Sequence, residues 1–164
     1  MKKRFRIVLT VIVILTAAVL VRFAMLGHGS KSGEAPALVS GALTSCPDKP
    51  NCVCSEFDED TAHYVAPLDY SGAPPEKAWG DILRIIKELG GQAVVSEDDY
   101  IAATFSSSVF GFVDDVEFRL DPSQKRIQIR SASRVGHSDL GVNRKRVEAM
   151  TRLFTQKMGG AVVK

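Results

Sequence analysis

The 164-residue chain lacks a Gly-x-Ser-x-Gly elbow, a His-Glu-x-x-His pair and a phosphate loop. The common signatures of serine hydrolases, zinc peptidases and nucleotide-binding loops are therefore missing. Histidine is scarce: His28, His63 and His137 are far apart along the chain. Charge of one sign is scarce too. Charged residues make up 24% of the chain but leave a net +2, an ordinary balance that argues against a nucleic-acid partner. There is no internal repeat, and the only biased tract is Gly27–Ala42, rich in Gly, Ser and Ala. Cysteine is confined to Cys46, Cys52 and Cys54.

What the chain does have is a long apolar start. Lys2, Lys3, Arg4 and Arg6 precede the run Ile7–Val21, whose polar residues are Thr10 and Thr16 alone; after Arg22 the run resumes through Phe23–Leu26. A helix needs about 20 residues to cross the hydrocarbon core. Residues 7–26 meet that length if Arg22 snorkels to the far interface. The run has no polar face, so it does not read as a core helix of a cytosolic protein. The basic flank holds the N-terminus in the cytoplasm and exports the remainder. A cleaved signal peptide is the alternative. Ala24-Met25-Leu26 fails as a cleavage site at its last position, however, and Gly27-His28-Gly29 is a weak one. A lipoprotein box at Leu43–Cys46 is disfavoured by the stretch that separates it from the apolar run.

The expected organisation is an anchor or signal segment at 1–26, a flexible tether at 27–45, one exported domain at 46–158 and a tail at 159–164. The tether assignment rests on the coil-like behaviour of Gly/Ser-rich chains. About 110 residues suffice for one core.

Pro74-Pro75-Glu76 opens a helix with Ala78, Ile82, Ile85, Ile86 and Leu89 on one face and Trp79 and Leu83 on its shoulder. Gly90-Gly91 ends it. Strands follow at Ala93–Val95 and Tyr100–Phe105. Phe110–Val113 reads as a third extended piece that bends at Asp114-Asp115. Val116, Phe118 and Leu120 alternate with Glu117 and Arg119, as in a half-buried strand. After a turn at Asp121–Lys125, Ile127 and Ile129 alternate with Gln128 and Arg130. If Leu120 faces Ile127, then Phe118 meets Ile129 and Glu117 meets Arg130, here expected as an exposed ion pair of little worth. A last helix spans about Asn143–Lys157, with Val147, Met150, Thr151 and Phe154 on one face and Asn143 or Asp139 as its cap. His63–Tyr70 is a further strand candidate. The fold class is α+β: an antiparallel sheet with helices packed on one face, preceded by an N-terminal transmembrane helix.

Export would allow Cys46 and Cys52, which enclose five residues, to oxidise. Cys52–Cys54 is a tighter and poorer choice, and Cys54 would be left over. Three thiolates with His63 would be a zinc set, but the spacing departs from the usual two to four residues.

Cys46–Val53, Phe110–Arg119 and the pair Arg130–Gly136 with Ser138–Arg144 resemble, in that order, the three motifs of the bacterial domain of unknown function family 1499 (DUF1499). The resemblance spans nearly all of the expected exported domain. It implies an exported or membrane-associated protein and supplies no activity, cofactor or catalytic residue. Cys54 stands where the family pattern has serine.

The third motif holds the candidate site. A strand turns through Gly136 and Gly141 into the last helix, a geometry that aims backbone N–H groups at one point. Arg130, Ser131, Arg134, Ser138, Asp139, Asn143 and Arg144 are the candidate anion-binding residues, the guanidiniums acting as forks for a carboxylate or phosphate. The competing role for these side chains is structural: Ser138, Asp139 and Asn143 capping the helix, with Arg134 and Arg144 paired to Asp114, Asp115 or Asp139. Phe110, Phe112 and Val113 are expected in the core, with a docking surface as the alternative. The functional expectation is a non-catalytic, membrane-anchored, extracytoplasmic domain that binds a small anion or an envelope protein. No cofactor, metal or nucleic acid is expected, and the lipid bilayer is a partner through residues 7–26. Its location would be the inner membrane, single-pass, with the C-terminal domain on the periplasmic side. The alternative is a hydrolase-like enzyme using His137, Ser138 and Asp139, although a triad needs a spatial relay and not adjacency in sequence.

Overall fold

The structure is a computed structural model and describes residues 2–159. The expected tail lies, beyond Gly159, outside the described residues. Helix α1 (Lys2–Ser30) is followed by strands β1 (Cys52–Cys54) and β2 (Leu68–Asp69), helix α2 (Pro75–Glu88), strands β3 (Gln92–Ser96), β4 (Tyr100–Ser106), β5 (Val113–Asp121) and β6 (Arg126–Ser133), and helix α3 (Val142–Gly159). The strands form one antiparallel sheet in the order β1-β6-β5-β4-β3, with β2 also on β6. The fold is the expected α+β arrangement with a long apolar N-terminal helix. α1 is long and apolar enough to cross a membrane, and its apolar window is unburied by the rest of the chain.

The β5–β6 hairpin has the register read from the alternation: Leu120 faces Ile127, Phe118 faces Ile129 and Glu117 faces Arg130. Period-two geometry then sorts the side chains into two layers. Val116, Phe118, Ile127, Ile129, Ile101, Ala103 and Phe105 form one face, and α2 and α3 cover it with Ile82, Ile85, Ile86, Val147, Met150 and Phe154. The apolar face of α2 is the expected one. α2 stops where Gly90 takes φ +79°, a left-handed conformation that glycine adopts without steric cost.

The second face of the sheet is polar and is also covered. Residues 27–45, expected as a tether, continue α1 to Ser30 and then run across this face. Leu43 is buried with Cys54, Tyr100 and Ala102, and Ala35, Leu38, Cys46 and Phe57 pack around them. The apolar residues of this otherwise Gly/Ser-rich stretch provide the cover.

Three expectations are corrected. Asp114 and Asp115 do not bend the chain; both lie inside β5, and the turn precedes them at 107–112. His63–Tyr70 is not one strand: Tyr64 makes an isolated bridge to Cys54, and β2 is two residues long. Glu117 and Arg130 are buried, not exposed, because residues 35–57 cover their face.

The C-terminal end of α1 is seated on the domain. Gly27 and Ser30 are its buried residues. A Cβ on Gly27 would overlap the carbonyl oxygen of Phe110, so the close approach requires glycine. Ser30 Oγ donates to the Gly27 carbonyl (2.6 Å) and accepts from the backbone N–H of Val113 (3.0 Å). Arg134 Nη1 donates to the Ser30 carbonyl (3.1 Å), capping a helix C-terminus with a cation.

Candidate functional site

The polar third motif leaves β6 and enters α3, and the pleat of β6 divides it. Ser131 and Ser133 point to the helix layer, while Arg130 and Arg134 point to the other face. In the helix layer the chain brings Ser131, Asp139 and Asn143 together. Ser131 Oγ donates to Asn143 Oδ1 (2.5 Å). Asn143 Nδ2 lies within hydrogen-bond distance of the Asn51 carbonyl (3.0 Å), Ser133 Oγ (3.0 Å) and Asp139 Oδ2 (2.9 Å). Asp139 accepts from the backbone N–H groups of Gly141 (2.9 Å) and Asn143 (2.7 Å). It thereby satisfies donors that the first turn of α3 leaves without helical partners.

Arg146 completes this cluster and was not among the sequence candidates. Its guanidinium donates to Asn143 Oδ1 (2.6 Å), Ser131 Oγ (3.2 Å) and Asp114 Oδ2 (2.7 Å), and it lies 4.8 Å from the Phe105 ring centroid. Its position one helical turn after Asn143 was the available signal, since residues three apart share a face.

On the other face stand separate ion pairs. Arg134 grips Asp115 through two bonds, Nε to Oδ2 (2.8 Å) and Nη2 to Oδ1 (2.7 Å). Those bonds hold its guanidinium above its ordinary pKa. Arg130 Nη1 donates to Glu117 Oε2 (2.9 Å), and the Tyr100 hydroxyl donates to Glu117 Oε1 (2.8 Å). Glu117 is fully buried. Burial pushes its carboxyl above the usual carboxylate range, while Tyr100 and Arg130 pull the other way. Burial and the same carboxylate raise the Tyr100 phenol. Arg119 forks onto Glu56.

The candidate arginines are thus not brought to one point. Arg130 and Arg134 hold Glu117 and Asp115, and Arg144 donates to the carbonyls of Tyr64 (2.9 Å) and Ala62 (2.9 Å). Ser138 is exposed, and its Oγ accepts from the backbone N–H of Leu140 (3.3 Å). His137 is exposed as well. Both carboxylate oxygens of Asp139 are engaged in capping, and no hydrogen bond among the described residues links Asp139, His137 and Ser138 into a relay.

Cys46 and Cys52 form a disulfide, and Cys54 is a buried thiol. The pairing removes two ligands from the three-thiolate zinc set. The His63 ring is taken by Asp60 Oδ2 (2.7 Å) and the Lys49 carbonyl (3.1 Å). Burial raises the Cys54 thiol, against the pull of the Glu56 backbone and Arg130, so it rests as an unreactive thiol.

Compared with known families, residues 42–154 match the model described as "Protein of unknown function (DUF1499)", which covers more than half of the chain. The chain belongs to the DUF1499 family. The match begins at Ala42, inside the segment that covers the second face of the sheet, and ends at Phe154 in the core of α3. No curated protein matches the chain. All three motifs of this DUF1499 member lie in the matched span. Their polar residues meet at the start of α3 and on the covered face of the sheet.

Two open spaces border these clusters. A cleft of about 620 Å³ lies between residues 31–37 and the β3–β4 side of the second face, lined by Lys31, Glu34, Val94, Val95, Tyr100 and Arg134 among others. A crevice of about 240 Å³ lies between the end of α1 and the loops at 107–112 and 134–142.

Proposed function

We propose that this DUF1499 member is a non-catalytic binding domain held by a single-pass anchor on the outer side of the cytoplasmic membrane. Its partner would be an extended segment of an envelope protein that adds to the β3 edge of the sheet. Sidedness is supported by the basic flank before the apolar run and by the Cys46–Cys52 disulfide, which belongs in an oxidising compartment.

The observation that carries the partner reading is the state of β3. It is the last strand of the sheet, and all five of its residues are exposed. An edge strand presents unpaired N–H and C=O groups, the template used when a peptide adds to a sheet. The register shift between Ala93 and Val95 puts Val94 and Val95, neighbours in sequence, both on the wall of the cleft. An added strand would thus find backbone partners beside an apolar hollow. A small anion has less to hold. The cleft offers Lys31 and Arg134 together with Glu34, and Arg134 is already committed to Asp115.

A photo-crosslinking residue at Val94, in the full chain in its native membrane, is expected to give a discrete adduct that Val95→Asp abolishes. The same residue at Lys87 on α2 gives none. Equal labelling from both positions, or an adduct insensitive to Val95→Asp, removes the β3 edge as the binding surface.

A further inference from the structure

The connection between β4 and β5 (107–112) and the connection between β6 and α3 (134–141) leave the sheet at the same end. That is also the end where α1 joins it through Val113 and Arg134. The turns at 97–99 and 122–125 lie at the opposite end. We infer that the two loop tips, Val109 and Leu140, are seated in the interfacial layer of the same bilayer that α1 crosses, so that the domain rests on the membrane surface and does not hang free of it.

The level of the loops follows from α1. A helix rises 1.5 Å per residue, so a 30 Å hydrocarbon core begun at Ile7 ends near Leu26. Phe23, within that span, stacks on Phe110 with centroids 5.4 Å apart and meets Phe112 edge-on at 6.3 Å. Gly27 lies against the Phe110 carbonyl. The 107–112 loop therefore stands beside the last turns of the span, at the outer interface. Apolar surface continues outward from this contact. Phe23, Leu26, Phe112, Val135 and Val142 line the crevice between helix and loops. Beside it Val109 is 79% exposed and Leu140 87% exposed.

Leu140 is the more telling of the two. It takes φ +56°, a left-handed conformation costly for a branched side chain, while burying almost nothing. A soluble domain gains nothing from that position with leucine, whereas a membrane interface supplies the missing apolar contact.

The loops are also prepared for a place where water is scarce. In the first, the N–H groups of Ser107, Gly111 and Phe112 bond to the Phe112 carbonyl, the Ser107 carbonyl and Ser107 Oγ, respectively. In the second, the N–H groups of Leu140, Gly141 and Val142 bond to Ser138 Oγ, Asp139 Oδ1 and the Asp139 carbonyl. Bonds within the loop lower the cost of shallow insertion for these groups, while the N–H groups of Ser108, Val109 and Phe110 have no such partner among the described residues and stay at the hydrated level of the interface. The two acids on the crevice are neutralised from behind: Asp114 pairs with Arg146, and Asp139 caps α3.

The test uses the full chain in lipid nanodiscs, with Trp introduced singly as Val109→Trp, Leu140→Trp or Asp98→Trp and the native Trp79 emission subtracted. Lipids brominated near the glycerol end of the acyl chain are expected to cut the Val109→Trp and Leu140→Trp signals by at least half. Asp98→Trp, in the β3–β4 turn, should lose less than a tenth. Val142→Trp replaces either loop variant whose circular dichroism shows loss of fold. Quenching of the loop tryptophans no greater than that of Asp98→Trp overturns the proposal.

Discussion

Removing one member of the Glu117–Arg130 pair should cost far more than removing both. The two side chains meet at 2.9 Å beneath residues 35–57, with side-chain exposures of 0% and 8%. At an effective dielectric of about 20, unit charges about 4 Å apart attract by about 4 kcal/mol, and desolvating each ion costs several kcal/mol. The attraction therefore offsets only part of the cost of burying both ions, and neither ion tolerates isolation. Arg130→Met leaves a carboxyl already raised by burial, and Glu117→Leu strands a guanidinium whose Nε has no acceptor among the described residues. Each single variant is expected to lose about 3–5 kcal/mol. The double variant Glu117→Leu/Arg130→Met should lose only about 1–3 kcal/mol, the cost of leaving the Tyr100 hydroxyl without its acceptor. Adding Tyr100→Phe should recover most of that. The assay is urea unfolding followed by Trp79 fluorescence, with α1 held in a mild detergent. Additive single and double losses, or single losses under about 1 kcal/mol, would refute the reasoning.

Asn143→Ala removes the acceptor of the Ser131 hydroxyl and one of two partners each from Arg146 Nη1, which keeps Ser131 Oγ, and from the Asn51 carbonyl, which keeps the Ser133 N–H; a loss of about 1–3 kcal/mol in the same unfolding assay is expected. Reducing Cys46–Cys52, six residues apart, should lower stability by about 2–3 kcal/mol, and a thiol reagent should leave buried Cys54 unlabelled in the oxidised native chain, as read by mass spectrometry. Asp121 is held below the usual carboxylate range, first by the Ser123 hydroxyl. Its contribution is present above the unfolded carboxylate value and is lost as pH falls through the lower folded one. Melting temperature should therefore fall on acidification in that window, less steeply for Asp121→Asn.

Regular alternation made the hairpin legible. Val116, Phe118 and Leu120 opposite Ile127 and Ile129 fix the β5–β6 register, because a one-residue slip would turn every one of them to the wrong face. The apolar stripe and proline start of α2 were equally plain. Asp114-Asp115 misled because paired aspartates favour turns. Inside β5 they point to opposite layers, and each is met by an arginine from elsewhere, Arg146 for Asp114 and Arg134 for Asp115. Pairings over such sequence distances leave no local signal. The same holds for residues 35–45, whose composition reads as linker while Leu43 fills a hollow over Cys54 and Tyr100. The capping role of Asp139 was visible beforehand; Asn143, the alternative cap, lies inside α3 and instead accepts from Ser131 and Arg146. That β6 would send Ser131 and Arg130 to opposite faces follows from the strand period, and it separates the candidate site into two clusters.

The domain is fixed to the C-terminal end of α1 through Gly27, Ser30 and Arg134. Spin labels at Leu15→Cys in the helix and Asp98→Cys in the far turn, in a Cys54→Ser background in nanodiscs, measure this directly by pulsed dipolar spectroscopy. A domain seated on α1 gives one narrow distance distribution, which broadens when Gly27→Val breaks the seat. A broad distribution in the chain with Gly27 intact would show a domain swinging on a tether and contradict that seating.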